Sequence, residues 1–307
     1  MGQLELTAKR QASWSNTANQ LKSRLDRVRW GIFVLSVLGA VLATVASQLP
    51  DSAARRWVAI ASATVLGVAA FLTARLAAAA QVGGWVRARA AAEALKREAF
   101  KFAARAAPYQ DAQTAEDALK KERAAIEDGI DDLNDRLVEA GKPGSAPAAM
   151  IAPTEYLARR VKGQIDGFYL PKAEHYRRMA SRLRGAEFFL ALLATIITAA
   201  VGVMAKHPVG GFPFDLAALT AILTTVGALV LAHIEGSRYD FLVTTYRATA
   251  RRLEDALADL NPIPPAPSPE WSAFVDRCEN IIAAENSSWV AKWTGSRSGP
   301  QGRASKA

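Results

Sequence analysis

The chain has 307 residues, 50% of them apolar, and a formal net charge of +9 at neutral pH. One cysteine and three histidines exclude an internal disulfide and argue against a structural zinc cluster. The apolar residues are concentrated in four blocks, and the segments between them are rich in helix-forming Ala, Leu, Arg and Glu. Because no long alternating strand pattern occurs, the sequence predicts an all-α protein.

The first half of the chain begins with a charged segment and continues into two apolar blocks. Residues 1–29 predict an amphipathic helix, either a membrane-surface or gating helix or an ordinary extension of the first block, and we favour the extension. The blocks predict transmembrane spans at about 30–49 and 57–74, because roughly 20 helical residues cross a bilayer core. Small residues at four-residue spacing predict the packing faces of these spans. They are Gly39, Ala43 and Ser47 on the first span and Ala59, Ala63 and Gly67 on the second.

Two charged helices are predicted after the second span, at about 81–107 and 111–140. The second of these carries a heptad-like apolar seam, which predicts either a hairpin within the chain or a coiled-coil contact between subunits. The seam consists of Leu119, Ile126, Ile130, Leu133 and Leu137. Gly and Pro cluster in residues 141–153, which we expect to be the linker between a first unit at 1–140 and a second at 154–293.

The second half repeats the pattern of the first. It predicts spans at about 187–206 and 215–235, separated by a short turn at Pro208–Phe214 because Pro and Gly interrupt helices. Charged helices are expected at about 154–186, 238–260 and 270–293, and a disordered tail is expected at 294–307. Both hairpins enter and leave on the same side, so the predicted repeat is parallel and not inverted.

The distribution of positive charge predicts the orientation of the chain. Only Arg55, Arg56 and Lys206 of the 38 Lys and Arg residues fall in the two predicted outer turns. By the positive-inside rule, both termini and the long middle segment are expected to be cytoplasmic. The predicted fold is therefore an integral membrane protein with four transmembrane helices in two parallel-repeat hairpins, extended by cytoplasmic helices that form a bundle.

The sequence offers no constellation of residues typical of an enzyme. It has no metal-ligand spacing and no glycine-rich phosphate loop, so we expect neither an enzyme nor a cofactor. Cys278 lies on an apolar helix stripe and is expected to be a core residue. The basic stretches flank membrane spans, which favours anionic lipid over nucleic acid as their partner.

Ionisable groups at the ends of the third and fourth spans have two interpretations. Glu187, His233 and Glu235 either line a pore mouth, where carboxylates would favour cations, or are interfacial residues paired with arginines. We favour the pairing; the arginines in reach are Arg182, Arg184 and Arg238.

The fourth span also carries a stripe of small and hydroxyl residues at four-residue spacing. The stripe consists of Thr220, Thr224, Ala228 and Ala232. It either faces water in an oligomer or packs within the bundle, and we favour packing. Four helices of one subunit make a filled bundle, so a water path would need several copies of the chain, and we expect a homo-oligomer.

Several segments of the second half together resemble a known domain family. Tyr156-Leu-Ala-Arg-Arg, the Lys172–Arg178 run and the closing segment Phe274–Trp289 resemble a SLATT domain, a SMODS and SLOG-associating two-transmembrane effector of bacteria. The ending Glu285-Asn286-Ser-Ser-Trp289 is the most telling piece. In the first half, Arg89-Ala-Ala-Ala-Glu93-Ala-Leu-Lys96 is similar to another SLATT branch, so the chain resembles two tandem copies.

This resemblance implies a role in conflict between bacteria and phage. Members are proposed effectors of nucleotide-signalled systems, with hairpins that form pores or disrupt the inner membrane. The activator would be a nucleotide second messenger or a separate nucleotide-sensing or synthase partner. The alternative is a non-conducting scaffold or sensor that recruits partners through its cytoplasmic helices.

The resemblance also marks Glu285, Asn286 and Trp289 as family-motif positions. We expect Trp289 to pack across helices and Glu285 to pair with an arginine of the preceding helix. The candidate arginines are Arg247, Arg251 and Arg252.

Overall fold

The computed structural model describes residues 2–76, 79–141, 144–204 and 216–294. The predicted turn at Pro208–Phe214 and the predicted tail beyond residue 294 lie outside these ranges. The helices are α1 (Gln3–Gln48), α2 (Ala53–Leu76), α3 (Ala79–Ala103), α4 (Ala115–Asp128), α5 (Pro153–Tyr156), α6 (Leu170–Met204), α7 (Leu216–Ser237), α8 (Tyr239–Ala258) and α9 (Pro269–Thr294). Two π-helical turns, Leu157–Lys162 and Ile165–Tyr169, join α5 to α6. The described ranges contain no strand, and the all-α prediction is confirmed.

Four helices in the described part of the chain are long and apolar enough to cross a membrane, namely α1, α2, α6 and α7. In the most apolar 18 residues of each of these helices, at most 22% of the residues are buried inside the chain. Large side chains such as Trp57, Phe71 and Phe188 are therefore exposed on their surface. Apolar exposure on this scale is typical of a surface that contacts lipid. The prediction of an integral membrane protein with four spanning helices is confirmed.

The chain forms two compact units, and each unit draws on both halves of the sequence. The membrane unit comprises residues 25–78 and 174–243, and the polar unit comprises residues 1–24, 79–173 and 244–307. The spatial division therefore runs across the sequence repeat. Residues 144–153 of the expected linker lie inside the polar unit, where the Ile151 amide donates a hydrogen bond to the Ala103 carbonyl over 3.0 Å.

Helix α1 runs without a break from the polar segment into the first span, as the extension hypothesis predicted. Its buried face includes Trp14, which is fully buried. The Val138 amide donates a hydrogen bond to Thr17 Oγ1 over 2.9 Å, and the Ala140 amide donates to Ser13 Oγ over 3.1 Å. The chain after α4 is thus fixed along α1 by side-chain hydroxyls.

Helix α4 is shorter than the expected helix at 111–140. It ends at Asp128, and the amide of the following Gly129 donates to the Ala125 carbonyl over 3.3 Å. A 3-10 turn, Asp131–Arg136, follows. Glycine is a weak helix former, which accounts for an end at this point. The apolar seam is buried at Leu119 and at two positions of the following turn, and α4 packs against α3, as in the hairpin alternative.

The first hairpin of the membrane unit is closely packed at one glycine. Ser62 Oγ donates a hydrogen bond to the Gly39 carbonyl over 2.8 Å, and a Cβ on Gly39 would lie 2.5 Å from Leu66 Cδ2. The prediction of a packing face is correct at Gly39. Within one chain α2 turns Ser62 and Ala69 inward, so the ladder on the second span stays a prediction. The exposed ladder members are Ala43, Ser47, Ala59, Ala63 and Gly67.

We predict opposite effects of alanine at two glycines of this hairpin. Gly39→Ala forces the Leu66 side chain to move, whereas a Cβ on Gly67 meets no atom within 4 Å. Both changes gain the same helix propensity, so the difference between them reports packing alone. Gly39→Ala is expected to be less stable than Gly67→Ala by about 1–3 kcal/mol in thermal unfolding of the detergent-held protein. Equal stability of the two variants would contradict this contact.

Candidate functional site

Helices α3 and α9 pack against each other inside the polar unit, although they come from opposite halves of the sequence. Trp271 Nε1 donates a hydrogen bond to the Ala104 carbonyl over 2.7 Å. Near it, Lys101 Nζ lies 2.8 Å from Asp276 Oδ1. These contacts fix the register of the two helices, and this register sets which side chains meet farther along them.

A fully buried ion pair joins the turn before α6 to α9. Arg160 Nε lies 2.9 Å from Glu279 Oε1, and Arg160 Nη2 lies 2.7 Å from Oε2. Both side chains are only 1% exposed. Tyr156 Oη donates a third hydrogen bond to Glu279 over 3.1 Å, and the guanidinium lies 4.8 Å from the centroid of the Phe100 ring. The carboxylate is thereby bound on both oxygens.

The electrostatics of this pair favour its ionised form. Burial alone would lower the pKa of Arg160, but the attraction of Glu279 outweighs it, and the pKa is raised. Burial, followed by the charge of Glu279, raises the pKa of Tyr156 well above its ordinary value. At neutral pH the site therefore holds a charged arginine and a neutral tyrosine. Arg160 lies in the first π-helical turn, a distortion that is frequent at functional sites.

A second set of charged side chains lies on α3 and α9. Glu285 of α9 is buried, and burial raises its pKa to about 7; the positive charge of Arg89 opposes the shift and the negative charge of Glu93 adds to it. Burial also lowers the pKa of Lys96. Arg89, Glu93 and Lys96 follow at helical spacing along α3. We call these four residues together with Arg160 and Glu279 the charged cluster.

A cavity of about 180 Å³ opens beside the charged cluster between α3 and α9. Its polar lining consists of Glu93, Arg97, Arg160, Glu279, Asn286 and Ser287. Arg160 Nη1 is buried and has no hydrogen-bond partner among the described residues. The site therefore presents both a donor and carboxylate acceptors to a small, partly open cavity.

Two of the three family-motif positions, Glu285 and Asn286, lie at this site. Glu285 belongs to the charged cluster and Asn286 lines the cavity. The side chain of Trp289 lies outside the described residues. Arg251 and Arg252, two arginines that we expected to pair with Glu285, are exposed. The sequence analysis missed Arg89 as the cation that acts on Glu285, although its motif had been noted.

Cys278 is fully buried in the polar unit, as predicted for a core residue. Burial, followed by the charge of Glu279, raises the pKa of its thiol to about 12. A thiol with such a pKa is protonated at neutral pH and is a poor nucleophile. Among the described residues, no group of His, Cys, Asp and Glu side chains is arranged to hold a metal ion.

Of the candidate pore-mouth residues, Glu187 lies in the middle of α6, and His233 and Glu235 lie near the end of α7. Glu187 is half-buried on α6, and Glu235 is exposed on α7. The His233 ring lies 5.3 Å from the Phe33 ring, measured between centroids. Arg184, one of the expected partners of these groups, forms an ion pair with Asp240. Both interpretations of the three residues remain predictions.

The candidate stripe on α7 is largely exposed in the single chain. Thr220 Oγ1 donates to the Leu216 carbonyl over 3.5 Å, and Thr224 Oγ1 donates to the Thr220 carbonyl over 3.0 Å. Thr224, Ala228 and Ala232 are exposed. The chain's own bundle therefore leaves most of this stripe uncovered.

These observations define the class of the protein, an integral membrane protein whose four spanning helices are combined with a polar helical unit. Residues 156–289 match the family SMODS and SLOG-associating 2TM effector domain 1, SLATT_1. Residues 10–117 match DUF4231, a family of unknown function that is related to the SLATT type. No match was found among curated proteins or solved structures. The second half of the chain thus matches a SLATT domain, and this match implies a membrane effector of conflict systems.

We predict that the buried ion pair contributes strongly to the stability of the polar unit. Arg160→Met leaves Glu279 charged and unpaired, which is expected to cost about 3–5 kcal/mol in chemical unfolding. The neighbouring Arg159 pairs with Glu155 at the surface, where the two side chains are 49% and 44% exposed. The control Arg159→Met is therefore expected to cost less than about 1 kcal/mol. Equal losses in the two variants would contradict the role of the pair.

We also predict a pH dependence that originates at Glu285. Its folded-state pKa of about 7 lies above the ordinary value of 4.5, so the folded chain retains a proton that the unfolded chain releases. Stability should therefore fall as the pH rises from about 4.5 to about 7. In Glu285→Gln the decrease in the free energy of unfolding across this pH range is expected to be smaller by about 3 kcal/mol. Chemical unfolding at a series of pH values measures it. Parallel curves for wild type and variant would contradict the shift.

Proposed function

We propose that the chain is an effector of the bacterial inner membrane that permeabilises the bilayer in a nucleotide-signalled anti-phage system. In this proposal it acts as a homo-oligomer with both termini in the cytoplasm. The SLATT domain supports the effector role, and the distribution of Lys and Arg supports the orientation. The observation that carries the proposal is the combination of four spanning helices with a charged cluster shared by both matched segments.

The charged cluster supports a role for the polar unit in activation. Buried charges are costly unless every partner is in place, so such a cluster responds strongly to changes around it. Arg89 and Glu93 lie in the segment that matches DUF4231, and Glu279 and Glu285 lie in the SLATT_1 segment. In our proposal a nucleotide second messenger, or a nucleotide-sensing or synthase partner, alters this arrangement and thereby the spanning helices.

The exposed surface of the membrane unit supports a proposed path for water and ions between copies of the chain. The stripe on α7 is exposed, so it can meet another subunit or line water between subunits. In our proposal Thr224 contributes a hydroxyl to this path. Glu187, His233 and Glu235 form its mouth, where the carboxylates favour cations.

Depolarisation of living cells tests the proposal. The chain is expressed in a bacterial host, and a potential-sensitive dye is followed with and without phage infection. The potential is expected to collapse on infection, and Thr224→Ile is expected to weaken the collapse. Thr195→Ile is the matched control, because Thr195 is also exposed and donates to its own helix, at the Ala191 carbonyl. A potential retained by wild type throughout infection would contradict a pore.

The second candidate function is a non-conducting scaffold or sensor that recruits partners through the polar unit. It is favoured by the threonine hydroxyls of the spans, which donate to carbonyls of their own helices and not toward a shared path. Pull-down of a stable partner together with a silent planar-bilayer recording would support this function over the pore.

A further inference from the structure

The membrane unit contains a cavity of about 370 Å³ between α1, α2 and α7. Arg29, where the first span begins, lies on its lining, as do Thr73 near the end of α2 and His233 near the end of α7. All three positions belong to the ends of the spans that the charge distribution assigns to the cytoplasmic side. A volume of this size falls within the range of small-molecule sites.

The lining of this cavity is amphipathic. Most of its surface is apolar, and the apolar side chains on it are Ile32, Phe33, Leu229 and Ala232. Arg29 also lines the cavity, and Arg238 lies close enough for the two positive charges to repel each other. Asp26 attracts Arg29 and balances part of this charge. A ligand that fits must therefore offer an apolar chain to the walls and an anionic group to the arginines.

We propose that this cavity binds an anionic phospholipid of the inner leaflet. The phosphate lies against Arg29 and Arg238, and one acyl chain lies along Phe33 and Leu229. Basic pockets between spanning helices are suited to anionic headgroups, and the cytoplasmic leaflet is the anionic one. A water-soluble anion could contact the arginines but would leave the apolar walls without a partner. The inference does not depend on whether the protein conducts.

Lipid retention in the purified protein tests the charge requirement. The chain is held in detergent, titrated with phosphatidylglycerol or phosphatidylcholine, and examined by native mass spectrometry. Wild type is expected to retain phosphatidylglycerol preferentially, and Arg29→Ala is expected to weaken retention about fivefold. Arg27→Ala is the matched control, because Arg27 is exposed two residues away and lies outside the cavity lining. Equal retention of the two lipids, or equal losses in the two variants, would overturn the proposal.

A cavity-filling variant tests the location independently of charge. A Cβ on Gly236, which lines the cavity, meets no atom within 4 Å, so Gly236→Leu can enter the space without displacing the helix. This variant is expected to lose phosphatidylglycerol while keeping its thermal stability in detergent. Gly185→Leu is the control, since Gly185 is equally open but lies on α6 away from the cavity. Unchanged lipid retention in Gly236→Leu would place the lipid elsewhere.

Discussion

The polar unit depends on the ion pair between Arg160 and Glu279. Removing both charges from water is costly, and only good geometry with further hydrogen bonds offsets that cost. The protein meets this requirement with a bidentate pair, the hydroxyl of Tyr156 and the face of the Phe100 ring. Because Phe100 belongs to α3 and Glu279 to α9, the conditions that stabilise the pair also hold the two halves of the chain together. The packing of these two helices also forms the cavity and the buried environment of Glu285.

The two units solve opposite solvation problems with the same chain. The membrane unit leaves apolar side chains such as Trp57 and Phe188 exposed and packs at small residues such as Gly39. The polar unit buries large aromatics and brings charges inside with them. Each half of the sequence contributes to both units. The parallel repeat stays a prediction about the order of sequence elements, whereas the two spatial units combine elements from both halves of the chain.

The features that follow from composition and length could be predicted from the sequence, and the features that follow from register could not. The spans were evident because an uncharged apolar helix of about 20 residues has the length needed to cross a bilayer core. The core position of Cys278 followed from its apolar neighbours. In contrast, the electrostatic effect of Arg89 on Glu285 needs the packing of α3 against α9, and no local pattern specifies it. The partner of the ladder on α2 is open for a related reason, since small-residue spacing does not say which neighbour a face meets.

The separation of Arg160 and Glu279 has a consequence for biosynthesis. The two residues are 119 positions apart, and the whole second hairpin lies between them. During translation the arginine leaves the ribosome first, and its carboxylate partner exists only after both later spans have been made. Insertion into the bilayer therefore begins before the polar unit can close around its buried charges. A nascent chain acquires its membrane anchor before it acquires the arrangement that would control it.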